Sequence, residues 1–271
     1  MKILLKELVG KVRQIAAETS HLIMDIYIRE DVQICTKSDN SPLTEADMVA
    51  HRYIVNQLNL LTPDIPVLSE ENVDDIDAKV RLDWDRYWLV DPLDGTKEFI
   101  AQNGEFAVNI ALIENNQPIL GVVAVPAKKV SYFAASGLGA FKAGPDEVAH
   151  SIQCRSVSHR PLDILISRHS HPDALENYLE QIPSHHLQAL GSSIKMCRIA
   201  EGKADLYPRF GQTSEWDTAA SQCILTEAGG KIVDLKQGAP LKYGEKMDLH
   251  NPQFVAIGKV NKEFIKNYLS I

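Results

Sequence analysis

The sequence YWLVDPLDGTKEFI, residues 87–100, decides the fold class and the chemistry that we expect of this chain. Its first half is an apolar run that predicts a strand, and the strand ends in a carboxylate, Asp91. Pro92 prevents the strand from continuing regularly. Gly95 permits a tight turn directly afterwards, and this turn brings the side chains of Asp91 and Asp94 towards a common point.

Two carboxylates and the main-chain carbonyl of Leu93 would bind a hard cation at that point. Like charges about 4 Å apart repel by roughly 4 kcal/mol at an effective dielectric constant of about 20, so the cluster requires protons or a cation. Oxygen ligands favour Mg²⁺ or Mn²⁺ over zinc. Asp, Pro and Gly also favour surface turns, and these residues alone leave the turn open as an alternative.

The flanking sequence predicts layers of helices and strands. IPVLSEE (65–71) is a second apolar run that ends in acids, which places carboxylates at the ends of two strands. Residues 2–28 have the periodicity of a long amphipathic helix. Thr44 lies three residues before Asp47, the spacing of a capping box at the start of a second helix. From about residue 160, strands and helices alternate, a pattern typical of an α/β unit.

Composition excludes several classes of protein. The chain has 271 residues and a net charge of −8, and its Lys and Arg residues form no concentrated basic block. Polymeric nucleic acid is therefore not expected as a partner, whereas a small anionic substrate is acceptable if a metal ion supplies the attraction. The four cysteines are far apart, which predicts neither disulfides nor a zinc site.

The chain also lacks the patterns of membrane and secreted proteins. No stretch reaches about 18 consecutive apolar residues, so no transmembrane segment is predicted. The N-terminal residues have no continuous apolar region of the kind found in signal peptides. We therefore expect a cytoplasmic protein, and this expectation is compatible with peripheral association with an inner membrane.

Three motifs carry a resemblance to a known family. LSEE, WLVDPLDGTKEF and SEWDTAA, in that order, resemble the metal-binding motifs of the Mg²⁺-dependent, lithium-sensitive phosphatases related to inositol monophosphatase. The wider run of SPLTEAD, NGEFAVNIALI, GSSIKMC and LYPRFG resembles the bisphosphate nucleotidase branch of that family. The resemblance covers nearly the whole chain, and several motifs in order are more specific than any one of them.

The resemblance implies a fold and a division of the chain. The expected fold is α/β, a layered αβαβα sandwich of the inositol monophosphatase type. Residues 1–150 would form an α+β half that carries most of the metal ligands. Residues 151–271 would form an α/β half that carries Asp217 and the nucleotide contacts.

The resemblance also implies a set of site residues. Metal ligands, for two or three Mg²⁺ ions with Mn²⁺ as an alternative, would be Glu70, Asp91, the Leu93 carbonyl, Asp94 and Asp217. Thr96 and Asp47 match the pair that polarises the attacking water, and Glu70 would also orient that water. The capping role of Asp47 and this catalytic role are compatible.

The predicted substrate contacts extend from the metal site. They are Leu93, Asp94, Gly95, Thr96, Ser192, Lys195, Arg209 and Asp217. Ser192, Lys195 and Arg209 match positions that hold the second phosphate and the adenosine of a nucleotide, and the alternative for each is a helix cap or an exposed charge. His169 is near a family position beside the ligand, but its local spacing differs and its role stays open. Lys97 is either a feature of the nucleotidase branch or a solvated surface lysine, and the sequence leaves both interpretations open.

The function implied by the resemblance is Mg²⁺-dependent hydrolysis of a small phosphate ester. The expected substrate is adenosine 3′,5′-bisphosphate, which would yield AMP and phosphate in sulfur assimilation, with inhibition by Li⁺. One alternative is an inositol monophosphatase or another sugar-phosphate phosphatase of the same superfamily. The other is a non-enzymatic metal-binding protein.

Overall fold

The computed structural model describes residues 2–29, 33–36, 42–156, 161–169, 173–182 and 184–260. Ser41, the first residue of the SPLTEAD motif, and residues 261–271 of the predicted C-terminal half lie outside the described residues. The α-helices are α1 (Lys2–Tyr27), α2 (Glu45–Leu61), α3 (Ala78–Leu82), α4 (Thr96–Ile100), α5 (Asp173–Glu180), α6 (Ile194–Ala200) and α7 (Glu215–Glu227). Short 3₁₀ helices span Glu70–Asp75 and Pro126–Lys128.

The strands of the described residues fall into three sheets. They are β1 (Ile34–Thr36), β2 (Pro42–Thr44), β3 (Val67–Ser69), β4 (Arg86–Asp94), β5 (Ala107–Glu114), β6 (Gln117–Val125), β7 (Val130–Ala135), β8 (Gly139–Ala143), β9 (Ala149–Ile152), β10 (Leu162–Ile166), β11 (His185–Ala189), β12 (Leu206–Arg209), β13 (Lys231–Asp234) and β14 (Phe254–Ile257). β1 and β2 form a small antiparallel pair, and the remaining strands form two larger sheets.

The first large sheet has seven strands in the described residues, in the order β3 to β9. β3 is parallel to β4, and the other neighbours are antiparallel. Because side chains alternate along a strand, Trp88 and Val90 lie on the face that packs against α1 and α2, while Leu89 lies on the opposite face. The predicted strand before Asp91 is confirmed as part of β4, and the predicted N-terminal helix is confirmed as α1.

A β-bulge interrupts β4 at the position where the sequence predicts an irregularity. Asp91 pairs with Asn109 and Asp94 pairs with Ala107, so three steps along β4 correspond to two along β5. The following residue, Gly95, has φ of +94°, a left-handed conformation that favours glycine. The bulge and this turn place the end of β4 at the site described below.

The second large sheet contains the predicted alternation of strands and helices. Its strand order in the described residues is β11-β10-β12-β14-β13, and β10 is parallel to both β11 and β12. α5 and α6 lie in the connections between these parallel strands. β14 is antiparallel to β12 and to the edge strand β13, an arrangement that the sequence pattern did not predict.

The layers follow the predicted αβαβα order. α1 and α2 cover the outer face of the first sheet, and α6 and α7 lie between the two sheets. α5 covers the outer face of the second sheet, where Tyr178 packs with Ile164 and Val255. None of the helices in the described part of the chain has the length and apolar character needed to cross a membrane.

The contact between α7 and the first sheet is close. A Cβ atom on Gly121 of β6 would lie 2.2 Å from the carbonyl oxygen of Ala220 on α7, so only glycine fits at this crossing. The close approach holds α7, which carries Asp217, against the sheet that carries Asp91 and Asp94. Acids from both parts of the chain can therefore meet.

Candidate active site

Three aspartates converge at the end of β4. Asp91, Asp94 and Asp217 each offer one carboxylate oxygen, and these oxygens all lie within 4.8 Å of one another. Asp91 and Asp94 flank the bulge, and Asp217 comes from the first turn of α7. The structure thus brings together acids that are more than a hundred residues apart in the chain, as the sequence analysis expected.

The electrostatics of this cluster oppose full ionisation. Burial raises the pKa of Asp91 well above its usual range, and repulsion from Glu70 and Asp94 raises it further. Burial and the charge of Asp94 raise the pKa of Asp217 to about 8. Burial also raises the pKa of Asp94, although the Ser193 main-chain N–H opposes the shift. A cation is therefore the group that would let all three ionise together.

The remaining predicted ligands lie beside the three aspartates. Glu70 is the first residue of the 3₁₀ helix Glu70–Asp75 and lines the same cavity, and its charge raises the pKa values of Asp91 and Asp217. The Leu93 main-chain N–H donates to Oδ1 of Asp91 at 3.1 Å, which fixes the backbone of the bulge. Carboxylates and a carbonyl are the hard oxygen donors that suit Mg²⁺, so the residues fit the predicted metal.

Asp47 connects a helix cap to the site. Its Oδ2 accepts from the main-chain N–H of Thr44 at 2.7 Å, and the two residues form the predicted capping box of α2. Its Oδ1 accepts from the Thr96 hydroxyl at 3.1 Å. The two carboxylate oxygens are thus divided between the cap and the site, and the geometry accommodates both predicted roles.

Asp217 is also positioned by a capping box. The main-chain N–H of Ser214 donates to Oδ2 of Asp217 at 2.8 Å, and the two residues form a capping box at the start of α7. Asp47 and Asp217 are both third residues of their helices, and Thr96 is the first residue of α4. Helix N-termini carry partial positive charge, which favours negative groups at these positions.

Two residues that the sequence analysis missed orient Asp94. The Asn109 side-chain amide donates to Oδ2 of Asp94 at 3.3 Å, and the Ser193 hydroxyl donates to Oδ1 of Asn109 at 2.7 Å. The main-chain N–H of Ser193 also donates to Oδ2 of Asp94. One sequence signal existed, because Asn109 is the polar residue in an otherwise apolar strand core, AVNIALI.

A cavity of about 270 Å³ opens onto the acids. The predicted site residues that line it are Glu70, Asp94, Gly95, Thr96, Ser192, Lys195, Arg209 and Asp217, and Lys97, Glu98, Arg168 and His169 line it as well. Ser192, Lys195 and Arg209 therefore face the same space as Glu70, Asp94 and Asp217, whereas Asp91 and Leu93 do not line it.

The cationic residues among these contacts have structural partners. Lys195 is buried, and its Nζ donates to the carbonyls of Leu190 at 3.0 Å and Ser192 at 2.7 Å. The alternative of an exposed charge is therefore wrong for Lys195, which instead holds the loop before α6. Arg209 is half-buried and donates to the Ser167 hydroxyl at 2.6 Å.

Ser192 takes part in the start of α6. Its hydroxyl accepts from the main-chain N–H of Ile194 at 3.3 Å, a contact of the helix-cap type. The residue has φ of +51°, an uncommon conformation for a residue other than glycine. The N-cap residue of α6 is Ser193, so this contact is a turn one residue before the cap, and the Ser192 residue also lines the cavity.

Two acids for which no site role was predicted, Glu98 and Glu105, hold the cavity wall. Nε2 of His169 lies 2.9 Å from Oε1 of the buried Glu98. Arg168 donates from Nε and Nη2 to the two carboxylate oxygens of Glu105, at 2.7 Å each. The main-chain N–H of Gly191 donates to Oε2 of Glu105 at 2.8 Å. These pairs join α4 and the segment after it to the segments after β10 and β11.

Comparison with known proteins identifies the family of the chain. Residues 5–269 match the model of the inositol monophosphatase family. The chain belongs to the inositol monophosphatase family. Curated relatives in this family include the 3′(2′),5′-bisphosphate nucleotidase CysQ of Escherichia coli K12, which is 48% identical over 249 residues, covering 91% of this chain and 98% of the relative. The CysQ of Haemophilus influenzae is 36% identical over 254 residues, which cover 93% of each.

Solved structures of the inositol monophosphatase family share the fold. CysQ from Bacteroides thetaiotaomicron superposes with a TM-score of 0.81 at 40% identity, covering 93% of this chain and 97% of that one. An IMPase of Thermotoga maritima gives a TM-score of 0.76 at 24% identity, covering all of this chain and 96% of that one, which supports the fold alone. The predicted family and layered fold are thereby confirmed.

Proposed function

We propose that this chain is a Mg²⁺-dependent phosphatase that hydrolyses adenosine 3′,5′-bisphosphate to AMP and phosphate. The observation that carries the proposal is the cluster of Asp91, Asp94 and Asp217. Asp94 and Asp217 line the same cavity as Thr96, whose hydroxyl donates to Asp47. The choice of substrate is supported by the 48% identity to the bisphosphate nucleotidase of Escherichia coli K12. The reaction would remove a by-product of sulfate activation.

The proposed metal ligands are Glu70, Asp91, the Leu93 carbonyl, Asp94 and Asp217. Two or three Mg²⁺ ions bound there would lower the pKa of a water molecule and offset negative charge on the phosphoryl group. Asn109 and Ser193 fix the Asp94 carboxylate by donating hydrogen bonds to its Oδ2. Fixed ligands reduce the reorganisation needed during the reaction.

Thr96 and Asp47 would position the attacking water and take up its proton. The Thr96 hydroxyl has one hydrogen, and both Oδ1 of Asp47 at 3.1 Å and the Leu93 carbonyl at 3.3 Å lie within its reach. Donation to Asp47 gives the hydrogen to a charged acceptor and leaves the carbonyl available to a cation. The oxygen lone pairs of Thr96 are then free to accept from the water.

The remainder of the cavity would hold the nucleotide. Gly95 and Thr96 would contact the phosphate that is cleaved, together with Leu93, Asp94 and Asp217. Ser192, Lys195 and Arg209 would face the rest of the substrate. Because Lys195 donates to two main-chain carbonyls, we assign it to holding the Ser192 loop against the substrate.

Phosphate release from a panel of esters tests the proposal. The panel is adenosine 3′,5′-bisphosphate, inositol 1-phosphate and fructose 1,6-bisphosphate, each assayed with Mg²⁺, with EDTA, and with Mg²⁺ plus Li⁺. We expect the nucleotide to give the highest kcat/KM, with loss of activity in EDTA and inhibition by Li⁺. Faster turnover of a sugar phosphate would indicate a sugar-phosphate phosphatase, and absence of turnover with retained Mg²⁺ binding would indicate a non-enzymatic protein.

A further inference from the structure

A second cavity, of about 280 Å³, lies where the first sheet meets β11 and α6. Leu190 is the one described residue that it shares with the cavity at the end of β4. We call it the junction cavity, because polar residues from both halves of the chain line it, among them Lys128, Tyr132, Lys142, Gln188 and Arg198. It is therefore a separate space with its own polar groups.

The charges that line the junction cavity are mostly positive. Its three cations are Lys128 from the 3₁₀ helix Pro126–Lys128, Lys142 from β8 and Arg198 from α6, whereas the one acid among its described lining residues is Glu105. The chain as a whole has a net charge of −8. Because like charges repel, bringing three cations together costs free energy unless an anion offsets them.

Glu105 offsets these cations little, since its charge is already paired. Its two carboxylate oxygens accept from Nε and Nη2 of Arg168, at 2.7 Å each. Its Oε2 also accepts from the main-chain N–H of Gly191 at 2.8 Å. The positive charge in the junction cavity must therefore be offset by another group.

Glu201 offsets part of this charge and fixes two of the cations. Its Oε2 accepts from Nζ of Lys142 at 2.6 Å, and its Oε1 accepts from Nη1 of Arg198 at 2.7 Å and from the Tyr132 hydroxyl at 3.2 Å. The Glu201 side chain is only 6% exposed, so a nearly buried carboxylate holds both cations in place. An ammonium group has three donors and a guanidinium group has five, so both cations keep donors beyond these contacts.

Lys128 is the third cation and has no such acid. It is exposed, and no hydrogen bond or ion pair engages its ammonium group within the described part of the chain. All three of its donors are therefore available. Three cations face the single charge of Glu201, which leaves an excess of positive charge in the junction cavity.

We propose that the junction cavity binds a tetrahedral oxyanion of the phosphate class, either free phosphate or the phosphate group of an ester. Four oxygens can accept from Lys128, Lys142 and Arg198 together, whereas a carboxylate offers two. Lysine suits phosphate as a point charge, and arginine suits it as a planar fork. The proposal is independent of the proposed function, because no predicted metal ligand or catalytic residue lines this cavity.

Calorimetric titration of the full chain with inorganic phosphate tests the proposal. EDTA is present, so that no metal ion holds phosphate at the end of β4, and KCl keeps the ionic strength constant because salt screens exposed charges. The proteins are the wild type, Lys128→Ala, Lys128→Arg, Lys97→Ala and Lys79→Ala. Lys97 lines the other cavity, and Lys79 is an exposed lysine of α3 that lines neither. Circular dichroism checks the folding of each variant.

We expect saturable binding of phosphate to the wild type. Lys128→Ala should raise Kd by about tenfold, because one charge-assisted hydrogen bond to the anion is lost. Lys128→Arg should retain most of the affinity, and Lys97→Ala and Lys79→Ala should bind as the wild type does. AMP is a second probe: a Kd equal to that of phosphate indicates a free anion as the ligand, and a lower Kd that still depends on Lys128 indicates a phosphate ester.

Other results would overturn the assignment. Absence of saturable binding to the wild type, or unchanged affinity in Lys128→Ala, would show that the junction cavity is not an anion site. Weaker binding in Lys97→Ala with full binding in Lys128→Ala would place the anion in the cavity at the end of β4. A wild-type protein that binds phosphate through Lys128 but hydrolyses no ester would refute the proposed function and leave this site intact.

Discussion

The hydroxyl of Thr96 lies 3.1 Å from Oδ1 of Asp47, a residue 49 positions earlier in the chain. The contact joins the first residue of α4 to the first turn of α2. Because Oδ2 of Asp47 is held by the cap of α2, the carboxylate cannot rotate away from Thr96 without breaking a hydrogen bond. The pair is therefore fixed in the orientation that the proposed proton transfer needs.

Loss of the Thr96 hydroxyl should impair catalysis far more than folding. We expect Thr96→Ala to lower kcat by about 10²–10⁴-fold, the usual range for a lost general-base contribution. Thr96→Ser keeps the hydroxyl and should retain much of the activity. Steady-state kinetics with adenosine 3′,5′-bisphosphate would measure both variants, and full activity of Thr96→Ala would contradict the proposed role.

Neutralising Asp91 should abolish activity without lowering the stability of the metal-free protein. Burial and neighbouring acids raise the pKa of Asp91, so ionising it destabilises the metal-free fold. We expect Asp91→Asn to abolish phosphate release while leaving the free energy of unfolding in EDTA equal to or above that of the wild type. Urea denaturation at pH 7.5 provides the measurement, with Asp64→Asn in an exposed loop as the control. A large loss of stability in EDTA would disprove this expectation.

Asn109 should affect metal affinity without being a ligand. Asn109→Ala removes the amide that contacts Asp94 and the acceptor of the Ser193 hydroxyl. Loss of such a supporting contact typically lowers metal affinity by about 10–100-fold. Activity measured against Mg²⁺ concentration should therefore shift to higher Mg²⁺ and recover at saturation. Asn177→Ala, at an exposed position of α5, serves as the control, and an unshifted Mg²⁺ curve for Asn109→Ala would exclude this role.

Glu215 should make the metal-free protein less stable as pH rises. Burial raises the pKa of Glu215 from 4.5 to about 7, although the Gly244 main-chain N–H donates to its Oε2. As pH rises from 4.5 to about 7, Glu215 in the unfolded chain releases a proton that the folded chain retains, so the free energy of unfolding falls. This shift in pKa corresponds to a loss of about 3 kcal/mol in the free energy of unfolding.

A glutamine at position 215 removes this contribution. We expect urea denaturation between pH 4.5 and 7.5 in EDTA to give a shallower loss of stability for Glu215→Gln than for the wild type. The acids of the metal site remain in both proteins, so the difference between the two curves isolates Glu215. Parallel curves would mean that Glu215 ionises normally in the folded protein.

The sequence predicted those features that depend on local pattern. Periodicity predicted α1, and the Thr44–Asp47 spacing predicted the cap of α2, because both depend on residues within a few positions. Pro92 and Gly95 predicted the irregular strand end. Pro92 restricts its own backbone angle, and Gly95 permits a conformation that other residues disfavour, so neither effect depends on distant residues. The meeting of distant acids came from the family resemblance, which supplies information that no single segment contains.

Other features depend on long-range register and were missed. Asn109 reaches Asp94 because β5 pairs with β4 in one particular register, and neither strand alone specifies that register. Lys195 is buried because two carbonyls of a folded loop accept its hydrogens, whereas its charge alone predicts exposure. β13 and β14 have four residues each, too few for their apolar pattern to indicate an antiparallel edge.

The double roles of Asp47 and Asp217 constrain how this enzyme can evolve. Oδ2 of each side chain closes a helix start, while Oδ1 of Asp47 accepts from Thr96 and Asp217 offers a carboxylate oxygen to the acidic cluster. Exchange for asparagine keeps an acceptor for the helix but loses the charge, and exchange for glutamate keeps the charge but moves it by a methylene group. Selection for folding and selection for turnover therefore act on the same two side chains, and neither substitution is neutral to both.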